Sequence, residues 1–329
     1  MKLLLDEYYR EINYLRISIT DRCNLRCRYC VPEEGVQLIE HEALLTYEEI
    51  LKVVSVFALN GISKIRLTGG EPLVRKEVVD LIKWIAHTEG IKDLSLTTNG
   101  VLLKEYAAAL VKAGLSRINI SLDTLRPDRF SYITRRDKFK EVWEGIEEAL
   151  RHHLSPVKIN VVVIKGVNDD EIKDFARLSI TYPLHVRFIE FMPIGEGNEW
   201  SQDRLVPQSQ LIEEIEEMGD LIPIQPQNND GPAKRYYLKG AKGEIGFITP
   251  MSSHFCDQCN RLRLTPDGKI RTCLFSDDEI DVKGVLRESE NETEIEDILY
   301  RALQTKPEGQ RLNDFRFKKC QKCMYSIGG

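Results

Sequence analysis

The sequence has no apolar run that approaches the ~20 residues a helix needs to cross a membrane. Asp6 and Glu7 follow the first apolar residues at once, so no signal-peptide core is expected there. The chain carries 46 basic and 52 acidic residues, a formal net charge of −6, which argues against general nucleic-acid binding. We therefore expect a cytoplasmic protein with small-molecule partners, no nucleic acid and no membrane.

A nucleotide-binding loop is also missing. No Gly-x-x-x-x-Gly-Lys-Ser/Thr motif occurs, so a phosphate-bearing substrate would be held by side-chain charge rather than by a backbone cradle.

At 329 residues, with 42% hydrophobic and 30% charged residues, the chain is long enough for one large α/β domain and a smaller one. We place these domains at residues 1–222 and 223–329.

Three of the eight cysteines lie close together near the start of the chain. Cys23, Cys27 and Cys30 are separated by three and then two residues. Three thiolates at this spacing can hold three irons of a 4Fe–4S cubane and leave the fourth iron open for chemistry. A zinc site short of one ligand is the alternative, although zinc ribbons usually have paired motifs rather than a triplet.

Strand-like and helix-like segments alternate along the first two thirds of the chain. Six strands are predicted, at residues 15–19, 65–68, 94–98, 118–122, 157–164 and 186–191. Helical periodicity predicts helices between and after them, at residues 47–59, 78–86, 104–113, 140–152, 170–178 and 208–218. Six such units build a parallel sheet and are too few to close an eight-stranded barrel. We therefore expect a partial (βα)6 barrel of the TIM type whose open side admits a substrate.

The inward face of the predicted strands is polar and cationic. Alternate positions carry Arg16, Lys64, Arg66, Lys158 and Arg187, together with Thr97, Asn119 and Ser121. Burying several unpaired cations is costly, and a polyanionic ligand would offset that cost. Internal salt bridges to Asp123 and Glu190 are the alternative.

A second cysteine triplet lies in the C-terminal third. Cys256 and Cys259 are two residues apart, and Cys273 follows thirteen residues later. Arg261 and Arg263 stand between them at a spacing that places both on one side of an extended segment. This triplet too could hold a cluster with an open iron. His254, Cys320 or Cys323 could instead complete a zinc site.

These motifs carry a resemblance to a known family. The first triplet resembles the signature of radical S-adenosylmethionine (SAM) enzymes, and Gly69-Gly70-Glu71-Pro72 resembles their second motif. The second triplet with its Cys-Asn-Arg-Leu-Arg run and the terminal Gly328-Gly329 narrow the resemblance to the GTP 3′,8-cyclases of molybdenum cofactor biosynthesis, the MoaA family. The similarity runs from about Leu15 to Gly329.

The resemblance implies a lyase that converts GTP to 3′,8-cyclo-7,8-dihydro-GTP with SAM and two 4Fe–4S clusters as cofactors. It implies a radical SAM core closed on its open side by the smaller C-terminal domain. It implies partners as well: an electron donor, and cyclic pyranopterin monophosphate synthase as acceptor of the product. A homodimer is left open.

The same resemblance assigns roles to individual residues. For SAM the residues are Tyr29, Gly70, Ser121 and Met192. For GTP they are Arg16, Arg66, Thr97, Lys158, Arg261 and Arg263, to which the cationic strand pattern adds Lys64 and Arg187. The cluster ligands would be Cys23, Cys27, Cys30, Cys256, Cys259 and Cys273, and Arg263, Gly328 and Gly329 would take part in catalysis.

One feature departs from the family pattern. Cys320 and Cys323 form a further Cys-x-x-Cys just before the C-terminus. They favour an alternative, a radical SAM peptide-modifying enzyme whose auxiliary cluster has four protein ligands. A zinc-binding adaptor without catalytic activity is a third interpretation, but it leaves Gly-Gly-Glu-Pro and the inward cations unexplained.

Overall fold

The computed structural model describes residues 3–195, 200–226, 231–289, 291–309, 320 and 322–327. Its centre is a run of six parallel strands that pair in chain order. Their bounds are β1 Tyr14–Ser18, β2 Lys64–Thr68, β3 Asp93–Thr98, β4 Arg117–Ser121, β5 Val157–Val163 and β6 Leu184–Glu190. Each agrees with a predicted strand to within two residues at either end.

Helices cover the outer face of this sheet. They are α1 Tyr47–Leu59, α2 Val78–Ala86, α3 Leu103–Lys112, α4 Pro127–Thr134, α5 Phe139–Arg151, α6 Ile172–Thr181 and α7 Gln208–Glu216. Only α4 was not predicted from the sequence. It is eight residues long with Pro127 in its first turn, too short for a clear helical period.

Local sequence signals explain where these helices begin and which face they bury. The Thr46 hydroxyl accepts from the Glu49 amide at the start of α1, and the Glu49 carboxylate accepts from the Thr46 amide, a reciprocal cap. Ile50, Val53 and Phe57 then recur at helical spacing and are fully buried. The apolar strand positions meet them, so one continuous core fills the space between sheet and helices.

The C-terminal third extends the sheet at both edges. Its strands are β7 Leu221–Pro223, β8 Lys234–Leu238, β9 Glu244–Ile248, β10 Arg261–Leu264, β11 Lys269–Arg271 and β12 Ile280–Asp281. Strand β9 pairs parallel to β6, and β10 pairs parallel to β1. The strand order is β12-β11-β10-β1-β2-β3-β4-β5-β6-β9-β8-β7. In the described part of this third, the helices are the short α8 Lys283–Glu288 and α10 Met324–Ile327 and the longer α9 Glu292–Gln304.

The predicted boundary at residues 222 and 223 falls inside β7, so the two predicted domains share one sheet. That boundary stays a prediction. None of the helices described here has both the length and the apolar character to cross a membrane.

Candidate active site

The Gly-Gly-Glu-Pro turn is held against the segment that carries the first cysteine triplet. The Gly70 amide donates to the Thr20 carbonyl and the Glu71 amide donates to the Arg22 carbonyl, each at 2.8 Å. These two bonds continue the pairing of β1 and β2 beyond the strand ends. A Cβ on Gly70 would lie 2.4 Å from the Arg22 carbonyl oxygen, so only glycine permits this approach.

The buried Glu71 carboxylate organises the same turn. It accepts from the Thr98 hydroxyl at 2.7 Å, the Asn99 amide at 2.6 Å and the Leu73 amide at 3.0 Å. Burial raises the pKa of Glu71 to about 7, although these three donors act to lower it. The Asn99 side chain in turn donates to the Cys23 sulfur at 3.7 Å, which connects the turn to the first triplet.

The three thiols of the first triplet are partly buried and lie in the segment that follows β1. Burial raises the pKa of Cys23, Cys27 and Cys30, and the neighbouring thiols of the triplet add to the rise at Cys27 and Cys30. The Leu25 amide also donates to the Cys23 sulfur, at 3.4 Å. Adjacent thiols with amide donors suit an iron–sulfur cluster, whose negative charge such donors stabilise.

In the described part of the chain, no three His, Cys, Asp or Glu side chains are arranged around a single metal-ion position. Zinc requires four donors around one ion. A cubane binds its thiolates at separate irons, so its ligands need not converge in that way.

A cavity of about 290 Å³ lies on the inner face of the sheet. It is lined by residues predicted for SAM, for GTP and for the second cluster. These are Tyr29, Ser121 and Met192, then Arg16, Lys64, Arg66, Thr97, Lys158, Arg187, Arg261 and Arg263, and finally Cys256, Cys259 and Cys273. Gly70 is not among the lining residues and lies in the turn described above.

Strand register aligns the cations of this cavity in a row. Arg16 on β1 stands opposite Arg263 on β10 and opposite Arg66 on β2. Like charges at directly opposite positions destabilise a sheet. Burial lowers the pKa of Arg263 to about 9, and burial followed by the Arg263 charge lowers the pKa of Arg16 well below its usual range. A bound anion would relieve this repulsion.

The opposite wall of the cavity also carries buried cations with lowered pKa values. Burial, followed by the charges of Arg187, Arg117 and Arg66, lowers the pKa of Lys158 to about 6. Burial and the Arg66 charge lower the pKa of Arg187 to about 9. The Thr97 hydroxyl and the Asn160 side-chain oxygen are buried here without a hydrogen-bond partner among the described residues. These groups leave donors and acceptors available to a ligand.

The two carboxylates that could have neutralised these cations are engaged elsewhere in the described structure. Asp123 accepts from the Tyr29 hydroxyl at 2.6 Å and from the Val162 amide at 2.9 Å. Glu190 accepts from the amides of Met251 and Ser252 and from the Ser252 hydroxyl. The alternative of internal salt bridges to Asp123 and Glu190 therefore loses its support.

The second triplet closes one end of the cavity. Burial acts to raise the pKa of Cys259, but the adjacent Arg261 and Lys306 charges outweigh it and lower that pKa to about 6. The Lys306 ammonium lies 3.6 Å from the Cys259 sulfur. A thiol in this setting is readily deprotonated, so the surroundings suit a thiolate ligand.

The C-terminal cysteines have separate surroundings. The buried Cys320 sulfur accepts from Arg271 and donates to Asp277, each at 3.3 Å, and burial raises its pKa to about 11. Cys323 lies against Gly195, whose Cβ position would be 3.1 Å from its sulfur. The next residue but one, Tyr325, donates its amide to the Cys30 sulfur. Cys323 is thus placed beside the first triplet rather than the second.

Sequence reasoning missed Arg117 and Tyr14, which line the cavity. Each lies two residues before a residue predicted to face inward on the same strand, Asn119 and Arg16 respectively, a signal that could have identified them. Arg117 forms an ion pair with Asp93. Gly328 and Gly329 lie outside the described residues, so their catalytic role stays a prediction.

Comparison with known proteins agrees with both halves of this arrangement. Residues 17–179 match the model of the radical SAM superfamily, and residues 184–312 match that of Molybdenum Cofactor Synthesis C. The chain is 52% identical over 324 residues to the GTP 3′,8-cyclase of Alkaliphilus metalliredigens, covering 98% of this chain and 99% of that protein. It is 53% identical over 325 residues to the GTP 3′,8-cyclase of Moorella thermoacetica, with the same coverage.

The chain belongs to the GTP 3′,8-cyclase family. The family and the class of enzyme predicted from the two triplets are thereby confirmed. Radical SAM membership brings SAM and one 4Fe–4S cluster as cofactors.

Solved structures support the fold. Streptococcus suis SuiB bound to S-adenosylmethionine superposes with a TM-score of 0.61 at 15% identity, covering 89% of this chain and 68% of that one. SuiB bound to its precursor peptide SuiA gives 0.63 at 14% identity, covering 92% and 68%. At such identity the likeness shows the fold alone, and the predicted α/β radical SAM fold is confirmed.

Proposed function

We propose that this GTP 3′,8-cyclase family member converts GTP to (8S)-3′,8-cyclo-7,8-dihydroguanosine 5′-triphosphate, the first step of molybdenum cofactor biosynthesis. The observation that carries the proposal is the cavity itself. Eight arginine and lysine side chains line it, against Asp123 as the one carboxylate among its described lining residues. A nucleoside triphosphate is the kind of ligand that such a charge distribution selects.

Tyr29 lies close enough to Cys27 and Cys30 to interact with their charges, and with Ser121 and Met192 it would hold SAM. Gly70, in the turn bonded to the segment before the first triplet, would join them. The row of Arg16, Arg66 and Arg263, with Lys64, Thr97, Lys158, Arg187 and Arg261, would hold GTP. Cys256, Cys259 and Cys273 would ligate a second 4Fe–4S cluster at the far end, beside the guanine.

A 4Fe–4S cluster held by Cys23, Cys27 and Cys30 would supply the electron that cleaves SAM and so generates the radical. The chain's own residues then determine which atom reacts. Cations on two walls would fix the triphosphate and so hold the ribose in one orientation. Arg263 is only 3% exposed and stands at the β10 end of the cationic row, on the segment between Cys259 and Cys273, which suits it for orienting the base relative to the ribose.

The direct experiment is anaerobic reconstitution followed by incubation with SAM, GTP and a strong reductant. We expect 5′-deoxyadenosine and the cyclic nucleotide in comparable amounts by mass spectrometry. Formation of 5′-deoxyadenosine without any GTP-derived product would contradict the proposal. An electron donor, and cyclic pyranopterin monophosphate synthase as acceptor of the product, belong to the same proposal. A homodimer and a cytoplasmic location stay predictions.

Removing the C-terminal cysteines tests whether the second cluster has an open iron. A Cys320→Ser/Cys323→Ser variant should keep about eight irons per chain, two cubanes' worth, because Cys323 lies beside the first triplet and Cys320 bonds to Arg271 and Asp277. Iron and sulfide analysis measures this. Loss of about four irons would instead favour the peptide-modifying alternative.

The pKa of Lys158 predicts that GTP binding takes up a proton. With this pKa at about 6, the free amine is mostly neutral at pH 7.5, and a bound triphosphate raises the pKa and recharges it. About one proton should therefore be taken up per GTP, and affinity should rise as pH falls from 8 to 6 and then level off.

Calorimetry in buffers of different ionisation enthalpy measures this uptake. Lys158→Met is the matched control, because the difference between the two proteins separates Lys158 from titration of the γ-phosphate. The prediction fails if both proteins take up the same number of protons.

A further inference from the structure

Lys306 is a buried lysine whose three ammonium protons all have acceptors. It is 3% exposed, and its Nζ donates to the Thr272 carbonyl at 2.7 Å and to the Arg261 carbonyl at 2.8 Å. The third acceptor is the Cys259 sulfur, at 3.6 Å. Three acceptors in fixed positions hold the charge in one place.

Lys306 reaches the second triplet from behind. Arg261 and the three cysteines line the cavity, whereas Lys306 is not among its lining residues. The two carbonyls that it binds belong to Arg261, the first residue of β10, and to Thr272, the residue before Cys273. One side chain therefore bridges the two parts of the chain that carry Cys259 and Cys273, out of reach of a substrate in the cavity.

The segment that follows Lys306 is fixed in the same region. Arg10 is buried and donates to the carbonyls of Cys256, Pro307 and Glu308, at 2.9, 2.7 and 2.7 Å. Asp6 accepts from its Nε at 2.6 Å. A Cβ on Gly309 would lie 3.0 Å from the Cys256 sulfur, so residues 306–309 pack directly on the triplet. The position of Lys306 is thus set from both sides.

We propose that Lys306 is a positioning residue of the second triplet, which donates an N–H···S hydrogen bond to Cys259 and keeps a fixed positive charge beside the cluster bound there. The inference rests on the proposed second cluster. Hydrogen bonds to the sulfurs and nearby charge set the reduction potential of such clusters, and a fixed cation favours the more negative, reduced state. Lys306 therefore raises the potential and slows the loss of iron.

The test isolates the second cluster in the full-length chain. A Cys23→Ser/Cys27→Ser/Cys30→Ser background removes the ligands of the first cluster and should hold about four irons after anaerobic reconstitution. Lys306→Met in this background should shift the midpoint potential to more negative values in an EPR-monitored titration. It should also release iron to a chelator about tenfold faster.

Further variants separate charge from packing. Lys306→Arg keeps the charge and should restore the potential in part. Lys306→Gln keeps amide donors for the two carbonyls but lacks the charge. It should show the same negative shift of the midpoint potential, and it replaces the methionine variant as the test if that variant unfolds. Lys283→Met is the matched control, because Lys283 also donates to a backbone carbonyl, that of Ala43, away from the triplet.

The outcomes are distinct. A background protein that binds no iron overturns the second cluster, and with it this inference. A background protein with about four irons, whose potential and iron-release rate are unchanged by both Lys306→Met and Lys306→Gln, overturns the role of Lys306 alone. A negative shift in the Lys306 variants with none in Lys283→Met supports it.

Discussion

A Cys27→Ser variant should form no 5′-deoxyadenosine and should keep about four of about eight irons per chain. The reason is that three thiolates are the minimum that holds the first cubane while leaving an iron for SAM, so loss of one removes the cluster. The loop itself should stay folded, because the amides of Arg26 and Arg28 donate to the carbonyls of Thr134 and Ile133. The expected loss is therefore of the cluster rather than of the fold.

Anaerobic incubation with SAM and dithionite, with 5′-deoxyadenosine quantified by chromatography, measures this result. Cys323→Ser is the matched control, since it also removes a thiol beside Cys30 but not one of the triplet. It should retain SAM cleavage. A Cys27→Ser protein that still produced 5′-deoxyadenosine would rule out the first triplet as the cluster site.

Much of the fold could be predicted because local pattern and tertiary environment agree. Strands β1 to β6 are buried on their helix-facing side, so apolar residues recur at every second position and show the strand directly. Helices α1 and α2 match their predicted bounds because the apolar period of each begins and ends with the helix.

The C-terminal strands could not be found in the same way. β11 and β12 have three and two residues, too few for any alternation. They form because β10 offers an edge to β11, and β11 in turn offers one to β12. Nor could the sequence show that β9 and β10 join opposite edges of one sheet. Such pairing depends on long-range contacts that no local pattern contains.

The residues of the candidate site also differ in whether the sequence could predict them. The cations on β2 and β5 were predicted because alternation places a side chain on a known face. Lys306 was not predicted, because the residues that it contacts, Cys259 and Thr272 among them, are distant from it in the sequence. The sequence around Lys306 is polar and has no regular pattern. A buried lysine in an irregular segment has no signature until the fold shows its acceptors.

Removing cations from the cavity should reduce GTP binding in proportion to the charge removed. Arg66 donates to the Ser95 hydroxyl at 3.2 Å and its guanidinium lies 5.6 Å from the Tyr14 ring centre, so it is held in the cavity rather than in solvent. Arg66→Ala or Lys158→Ala should each cost roughly 1.5–3 kcal/mol of binding free energy, the scale of a hydrogen bond to a charged group. The double variant should lose roughly the sum if the two residues contact different phosphates.

Calorimetry with GTP, GDP, GMP and guanosine separates phosphate recognition from base recognition. Affinity for the intact protein should fall with each phosphate removed, and Arg66→Ala should weaken GTP far more than guanosine. Lys104→Ala is the control, because Lys104 is an exposed cation paired with Glu144 on the outer helices. Equal affinity for guanosine and GTP would show that the cavity cations do not hold the triphosphate, and the repulsion among Arg16, Arg66 and Arg263 would then need another anion to relieve it.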